Sequence, residues 1–191
     1  MKRSVVMGSC LVLLLIGPMQ AAYAQTVCDI AGQQGGSFIG GGTTPFTVQS
    51  TGKMNCHGLN KPDTTSQLEF GASVGDNTAH CAGTNVFEYP LVNGSFVMAQ
   101  ANSGSTGGTP TTTLSGTFTS GASYVCFNEN TSPVTTGGHF EAVISGGTGS
   151  WASATGTLVL DPADGSVLQS FGGGINQIAF TGTLGGNIQH P

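Results

Sequence analysis

The chain is short of charge, and of positive charge most of all. Its 191 residues carry four lysines and arginines against nine acids. Lys2 and Arg3 stand at the N-terminus, so beyond Ala24 the only basic side chains besides histidine are Lys53 and Lys61, and arginine is absent. A nucleic-acid partner needs a cationic face that displaces counterions, and none can be built here. Anionic membrane surfaces are disfavoured for the same reason. Helical periodicity of useful length is missing after the first residues, so no long helix is expected. Tryptophan occurs once, at Trp151. Gly147-Thr148-Gly149 lacks both a P-loop lysine and a good following helix, which argues against nucleotide binding. The remaining partner classes are neutral or apolar small molecules and other proteins, with oligomeric state left open.

The N-terminus has the pattern of a secretory signal. Lys2 and Arg3 precede an apolar run, Val5 to Ile16; Pro18 breaks it, and Ala22-Tyr23-Ala24 supplies small residues at the cleavage positions. Cleavage is expected before Gln25, giving a secreted or periplasmic protein. The run is shorter than the roughly 20 residues of a spanning helix, so no membrane insertion is expected after cleavage. Residues 25–191 then read as a single domain, with a less regular stretch up to about residue 62.

Four cysteines follow the leader: Cys28, Cys56, Cys81 and Cys126. An even number in an exported chain points to two disulfides. Three pairings are open, with Cys28–Cys56 and Cys81–Cys126 as the sequential one. Cys56-His57 and His80-Cys81 lack the two-to-four-residue ligand spacing of a zinc knuckle, and His57, His80, His139 and His190 show no metal-ligand spacing. No metal and no cofactor are expected.

What is abundant is glycine, serine, threonine and β-branched residues in short alternating runs. Gln67 to Val74, Val86 to Val92, Ser95 to Gln100, Thr112 to Thr119, Ala122 to Phe127, Gly138 to Ser145, Gly156 to Leu160, Ser166 to Phe171 and Ile175 to Leu184 all read as strands. Phe38-Ile39 and Phe46-Thr47-Val48 are candidates for short ones. Asn93-Gly94 has the form of a hairpin turn. Asp161-Pro162-Ala163-Asp164-Gly165 has the form of a loop turn. Pro90 points to an edge or a bulge. About eight antiparallel strands joined by short loops predict an all-β fold, an up-and-down β-barrel or, as the alternative, a β-sandwich.

The segment Gly146-Gly147-Thr148-Gly149-Ser150-Trp151-Ala152-Ser153-Ala154-Thr155-Gly156 resembles the glycine-rich motif of the allene oxide cyclase and dirigent-like barrels. Phe140 to Ser145 and Thr157 to Leu160 match the strands that flank that motif. The resemblance covers about twenty residues and implies an eight-stranded antiparallel barrel with an apolar cavity. In it Gly146, Gly147 and Gly149 serve a turn, Trp151 covers a barrel end, and Ala154 and Gly156 are small where strands crowd. Dirigent chemistry in that family pairs acidic groups with cationic partners, and no arginine remains here for that role. Cyclase chemistry there uses a carboxylate, and none in this chain aligns with it.

The candidate catalytic residues are therefore read from strand alternation alone. Phe140, Ala142 and Ile144 share one face of their strand; His139, Glu141, Val143 and Ser145 share the other. An inward mixed face would make His139 and Glu141 an acid–base pair with a raised carboxyl pKa. An inward apolar face, the favoured reading, leaves Glu141 in water. Glu88 and Tyr89 pose the same question near Pro90, and Glu69, between Leu68 and Phe70, points outward. No Ser-His-Asp constellation can be named. The leading functional expectation is an exported barrel that binds a small apolar ligand or a protein partner. The alternatives are a cyclase or isomerase acting on a hydrophobic substrate, and a surface or matrix component.

Overall fold

The computed structural model describes residues 26–41, 44–52, 62–100, 112–128, 135–172 and 175–190. The expected leader, which falls within residues 1–25, and Lys53, Cys56, His57 and Lys61 lie outside the described residues. The described chain is all-β. Its strands are β1 (Thr26–Gly41), β2 (Thr44–Gly52), β3 (Pro62–Phe70), β4 (Val86–Gln100), β5 (Thr113–Phe118), β6 (Tyr124–Asn128), β7 (Thr135–Gly147), β8 (Thr155–Gly172) and β9 (Ile175–His190). A single 3-10 turn, Gly149–Trp151, links β7 to β8. Among the described residues no helix is long and apolar enough to cross a membrane.

All pairings are antiparallel. The sheet order is β3-β2-β1-β9-β8-β7-β5-β4-β6, and β3 also pairs with β4 and β6 with β7. Both β5 and β6 lie between β4 and β7. Thr117 pairs with Ser95 and Tyr124 with Pro90, so β5 and β6 are one strand interrupted at Thr119–Ser123.

Alternation decides which side chains enter the core. On β7, Phe140, Ala142 and Ile144 are buried while Glu141, Val143 and Ser145 are exposed. On β3, Ser66 and Leu68 are buried while Thr65, Gln67 and Glu69 are exposed. The core collects Val48, Leu91, Phe96, Met98, Leu114, Phe118, Val125, Leu158, Ile178, Phe180 and Ile188 around Phe140 and Trp151. Phe118 packs edge-on to Phe140 with ring centroids 5.9 Å apart, and Phe96 lies 5.7 Å from Phe118. Burying one such side chain contributes roughly 1.5–3 kcal/mol.

Four local readings change. The N-terminal stretch expected to be less regular forms β1 and β2, whose glycine-rich ladder pairs Phe38 with Val48. Asn93-Gly94 is not a hairpin turn but the middle of β4. Neither residue takes the positive φ that such a turn requires. Gly94 instead permits close packing, since a Cβ there would sit 3.0 Å from Phe118 Cδ2 and 3.1 Å from Leu68 Cδ2. Asp161 to Gly165 is not a loop between strands but a register shift within β8, between Pro162 and Gly165. Residues 71–74, expected to continue the strand, keep its course beside β4 but leave the regular ladder after Phe70, with only the Gly71 and Val74 N–H groups still donating to Pro90 O and Glu88 O.

The glycine-rich segment between β7 and β8 joins the two strands around the buried Trp151. Gly146 has φ 142° and Gly149 φ 61°, while Gly147 does not take a positive φ. Gly156 has φ 138°, and a Cβ there would lie 2.0 Å from the Asn187 carbonyl oxygen. Only glycine fits that approach. Ala154 is buried beside it.

Candidate functional site

The sequence candidates divide between the two faces of one wall. Tyr89 points into the core, where it meets Phe127 edge-on at 5.5 Å. Its neighbour Glu88 points to the outer face, as period-two strand geometry requires. His139 and Glu141 share that outer face. Glu69 is exposed elsewhere on β3 and joins no cluster.

Outer-face residues of a sheet normally meet water. Here the chain after β3 runs on antiparallel to β4 as far as Asn77, and the loop that follows, up to Asn85, brings Thr78 and His80 onto Glu88. Val74 N–H donates to Glu88 O at 3.0 Å, Glu88 N–H to Gly75 O at 3.1 Å and Asn77 N–H to Val86 O at 3.0 Å. A disulfide, Cys81–Cys126, ties this segment to β6. Cys81, Cys126 and Val86 form a second small apolar cluster, with Tyr124 packed on it. The pairing matches the C-terminal half of the sequential assignment; Cys56 and the side chain of Cys28 lie outside the described residues.

This covering buries Glu88 to 8 % exposure. The Thr78 hydroxyl donates to Glu88 Oε2, and His80 Nδ1 lies 3.1 Å from Glu88 Oε1. The Thr78 oxygen also accepts from Cys81 N–H at 3.1 Å, so one turn of the segment is organised around the carboxylate. The His80 ring stacks on Tyr124 with centroids 4.7 Å apart and planes 15° from parallel. The His139 ring stands 6.1 Å from that of Tyr124. His139 Nδ1 is 2.6 Å from Asp161 Oδ1, and its Nε2 is 3.2 Å from Glu141 Oε1. Tyr124 thus links two histidine rings, each paired with carboxylate. Beside it lies a cleft of about 390 Å³, lined by His80, Glu88, Pro90, Tyr124, His139 and the Gly121–Ser123 turn.

The electrostatics follow from these contacts. Burial alone would raise the Glu88 carboxyl, but hydrogen bonds from Thr78 and His80, and the His80 charge, outweigh it and lower its pKa. Burial would lower His139, but hydrogen bonds to Glu141 and Asp161, and their charges, raise it. With both nitrogens on carboxylates, His139 satisfies both only as the imidazolium. Burial, then the charges of Glu88 and Asp161, raise Tyr124 and keep it a phenol.

The wall is closed behind the cleft by a side chain that substitutes for backbone. Ser123 Oγ accepts from Glu141 N–H at 3.0 Å and donates to Glu141 O at 3.3 Å. Thr119 N–H donates to the same Glu141 carbonyl at 2.8 Å, and Leu91 N–H donates to Ser123 O at 2.8 Å. The ladder thus crosses the break between β5 and β6. Ser123 is buried and committed to these bonds, so it is no nucleophile. His80 is the ring with one nitrogen, Nε2, left for proton exchange or ligand contact. No group of three or more His, Cys, Asp or Glu side chains among the described residues is arranged to hold a metal ion.

Sequence reasoning did not find Thr78, His80, Tyr124 and Asp161 as one cluster. Asp161 was absorbed into an apparent turn. The signal that could have found the others was the Cys81–Cys126 pairing, which places residues 78–80 beside 124–126. At the far end of the core the His190 ring lies 4.3 Å from Trp151. Comparison with family models, curated proteins and solved structures finds no match for this chain.

Proposed function

We propose that the chain from Gln25 onward is an exported eight-position β-barrel that binds a small apolar ligand at one end of its interior. The ladder register supports the barrel. From Phe38 on β1, successive partners are Val48, Ser66, Phe96, Gly116, Ile144, Gly156 and Ile188, and Ile188 pairs with Cys28, again on β1. The walk returns ten residues from its start, at Cys28 rather than Phe38. A stagger of this kind accompanies the strand tilt of a closed barrel. β5 and β6 share one of its positions. The resemblance of Gly146 to Gly156 to the allene oxide cyclase and dirigent-like barrels agrees with that architecture. Export is supported by the leader and by the disulfide, which suits an oxidising compartment.

The observation that carries the binding role is a group of four aromatic rings. Phe46, Phe70, Tyr89 and Phe127 are the partly exposed members of an otherwise buried core. Phe46 meets Phe70 at 5.4 Å and Phe127 at 6.3 Å, and Tyr89 meets Phe127 at 5.5 Å. No described carboxylate belongs to that core. A cyclase of the resembling family would need one there, and Glu88 and Glu141 stand on the opposite face. The aromatic end therefore supports apolar binding over catalysis.

Titration with N-phenyl-1-naphthylamine, a neutral apolar fluorophore, tests the reading. Saturable enhancement is expected, weakened about tenfold by Phe70→Ala or Phe127→Ala. Enhancement that is absent, or unchanged in both variants, would defeat it.

A further inference from the structure

The outer cleft is separate from the aromatic end and has its own chemistry. It is a half-open cleft of about 390 Å³, room enough for a whole small molecule. One wall is formed by the rings of His80, Tyr124 and His139. Glu88, buried to 8 % exposure, closes one end. Asp161 and Glu141 stand behind His139 at the other. The opposite side, Pro90 and Gly121 to Ser123, is small and uncharged.

The charge balance is uneven. Of the three carboxylates Glu88 lines the cleft, while Glu141 and Asp161 stand outside the lining, on the His139 imidazolium, and leave the cluster with more negative than positive charge. Among the described residues no lysine or arginine contributes to the lining. His139 uses both ring nitrogens on Asp161 and Glu141, so it offers the cleft no N–H for an anion. Glu141 Oε2 and Asp161 Oδ2 have no protein partner among the described residues. His80 presents Nε2, an acceptor when Nδ1 donates to Glu88. An anion would meet a net excess of carboxylate charge that the Tyr124 hydroxyl, a neutral donor, does not offset. A cation would meet carboxylate charge and the acceptor oxygen and nitrogen of Tyr124 and His80. The net charge of −5 for the whole chain favours its approach.

We propose that this cleft is a binding site for a small organic cation, an alkylammonium or alkylguanidinium group seated beside Tyr124 between Glu88 and the Asp161–Glu141 pair. The disulfide and the Thr78–Glu88 contact hold the site in shape before the cation arrives.

The test uses the oxidised mature protein and three probes: n-butylammonium, n-butylguanidinium and n-butanol. Aromatic and imidazole NMR resonances of Tyr124, His80 and His139 are followed during titration. Both cations should shift these resonances saturably, with dissociation constants on the order of millimolar, and n-butanol should not. Glu88→Gln should weaken binding about fivefold, as removal of one near charge at intermediate dielectric does. The pair Glu141→Gln with Asp161→Asn, at exposed positions that leave the core untouched, should weaken it by a similar factor. Glu69→Gln, on β3 away from the cleft, should leave it unchanged. Equal shifts with n-butanol would make the cleft merely apolar and overturn the proposal. So would equal weakening by Glu69→Gln, or cation shifts insensitive to every cleft variant. Absence of saturation up to about 100 mM would overturn it as well.

Discussion

The wall of β4, β6 and β7 carries a cluster on each side, and the two sides hold together differently. Inward, Phe140, Val125, Leu91 and Phe118 pack apolar surface against apolar surface, and the contacts are non-directional. Outward, a much smaller apolar cluster of Cys81, Val86 and Cys126 is fixed by a covalent bond, and its edge is finished by hydrogen bonds between rings and carboxylates. The inner side derives its order from volume, the outer side from connectivity and charge. That difference explains how a carboxylate is tolerated near full burial on one face while none of the described carboxylates enters the core on the other. Glu88 has two donors, the Thr78 hydroxyl and the His80 ring, that compensate its burial.

The comparison can be broken most forcefully from inside. Phe140→Ala should cost about 3–5 kcal/mol in denaturant unfolding, because the site lies among rings that cannot collapse fully into the space. A loss below about 1 kcal/mol would mean that the inner cluster is not where stability resides. Removing the outer tie should cost somewhat less. Cys81→Ala with Cys126→Ala opens a link spanning 45 residues of sequence, and loop-closure entropy puts that at about 2–4 kcal/mol. The same variant should separate His80 from Tyr124, so ring-to-ring NOEs that persist would show that the disulfide is dispensable for the cleft.

Ser123→Ala comes next. It leaves the Glu141 N–H without its acceptor behind the cleft, at a cost of about 1–3 kcal/mol. Ser123→Thr should recover part of that, since it keeps the hydroxyl.

Acidity separates the two faces further, because Glu88 and His139, whose carboxyl and imidazole pKa values are shifted, both stand on the outer side. The Glu88 carboxyl is lowered from its ordinary value of 4.5, so its contribution is present above that pH and is lost as pH falls through the lower folded value. His139 is raised from 6.5, so its contribution is complete below that pH and is lost as pH rises through the higher folded value. Stability of the outer cluster should therefore peak between these two limits. His139→Gln should abolish the alkaline fall and leave the acid fall intact. A stability profile with the same alkaline limb in both proteins would remove His139 from that role. The smallest effect belongs to Glu141→Gln, an exposed partner of His139, at about 0.5 kcal/mol or less.

Much of the inner face was legible in the sequence and little of the outer one. Alternation in Phe140 to Ser145 named the buried set and placed Glu141 in water, because a half-buried strand writes its two faces in a period of two. The same alternation could not tell that β4 continues through Asn93-Gly94, or β8 through Pro162. Bulges and close packing use the same residues as turns, and only the neighbours Leu68, Phe118 and Gly182 decide between them. The cleft was hidden for a different reason. Thr78 and His80 meet Glu88 only after a loop has folded back, and Asp161 meets His139 only across the β7–β8 pair. No local pattern encodes either meeting.

The break between β5 and β6 has a consequence for how this chain can vary. Ser120, Gly121 and Ala122 leave the ladder, while Thr119 and Ser123 on either side both bond to Glu141. Those three positions are therefore relieved of architectural duty, and two of them, Gly121 and Ala122, remain at the lip of the cleft. Longer or chemically different inserts grafted there would retune what the cleft admits without presenting an unpaired border to neighbouring molecules.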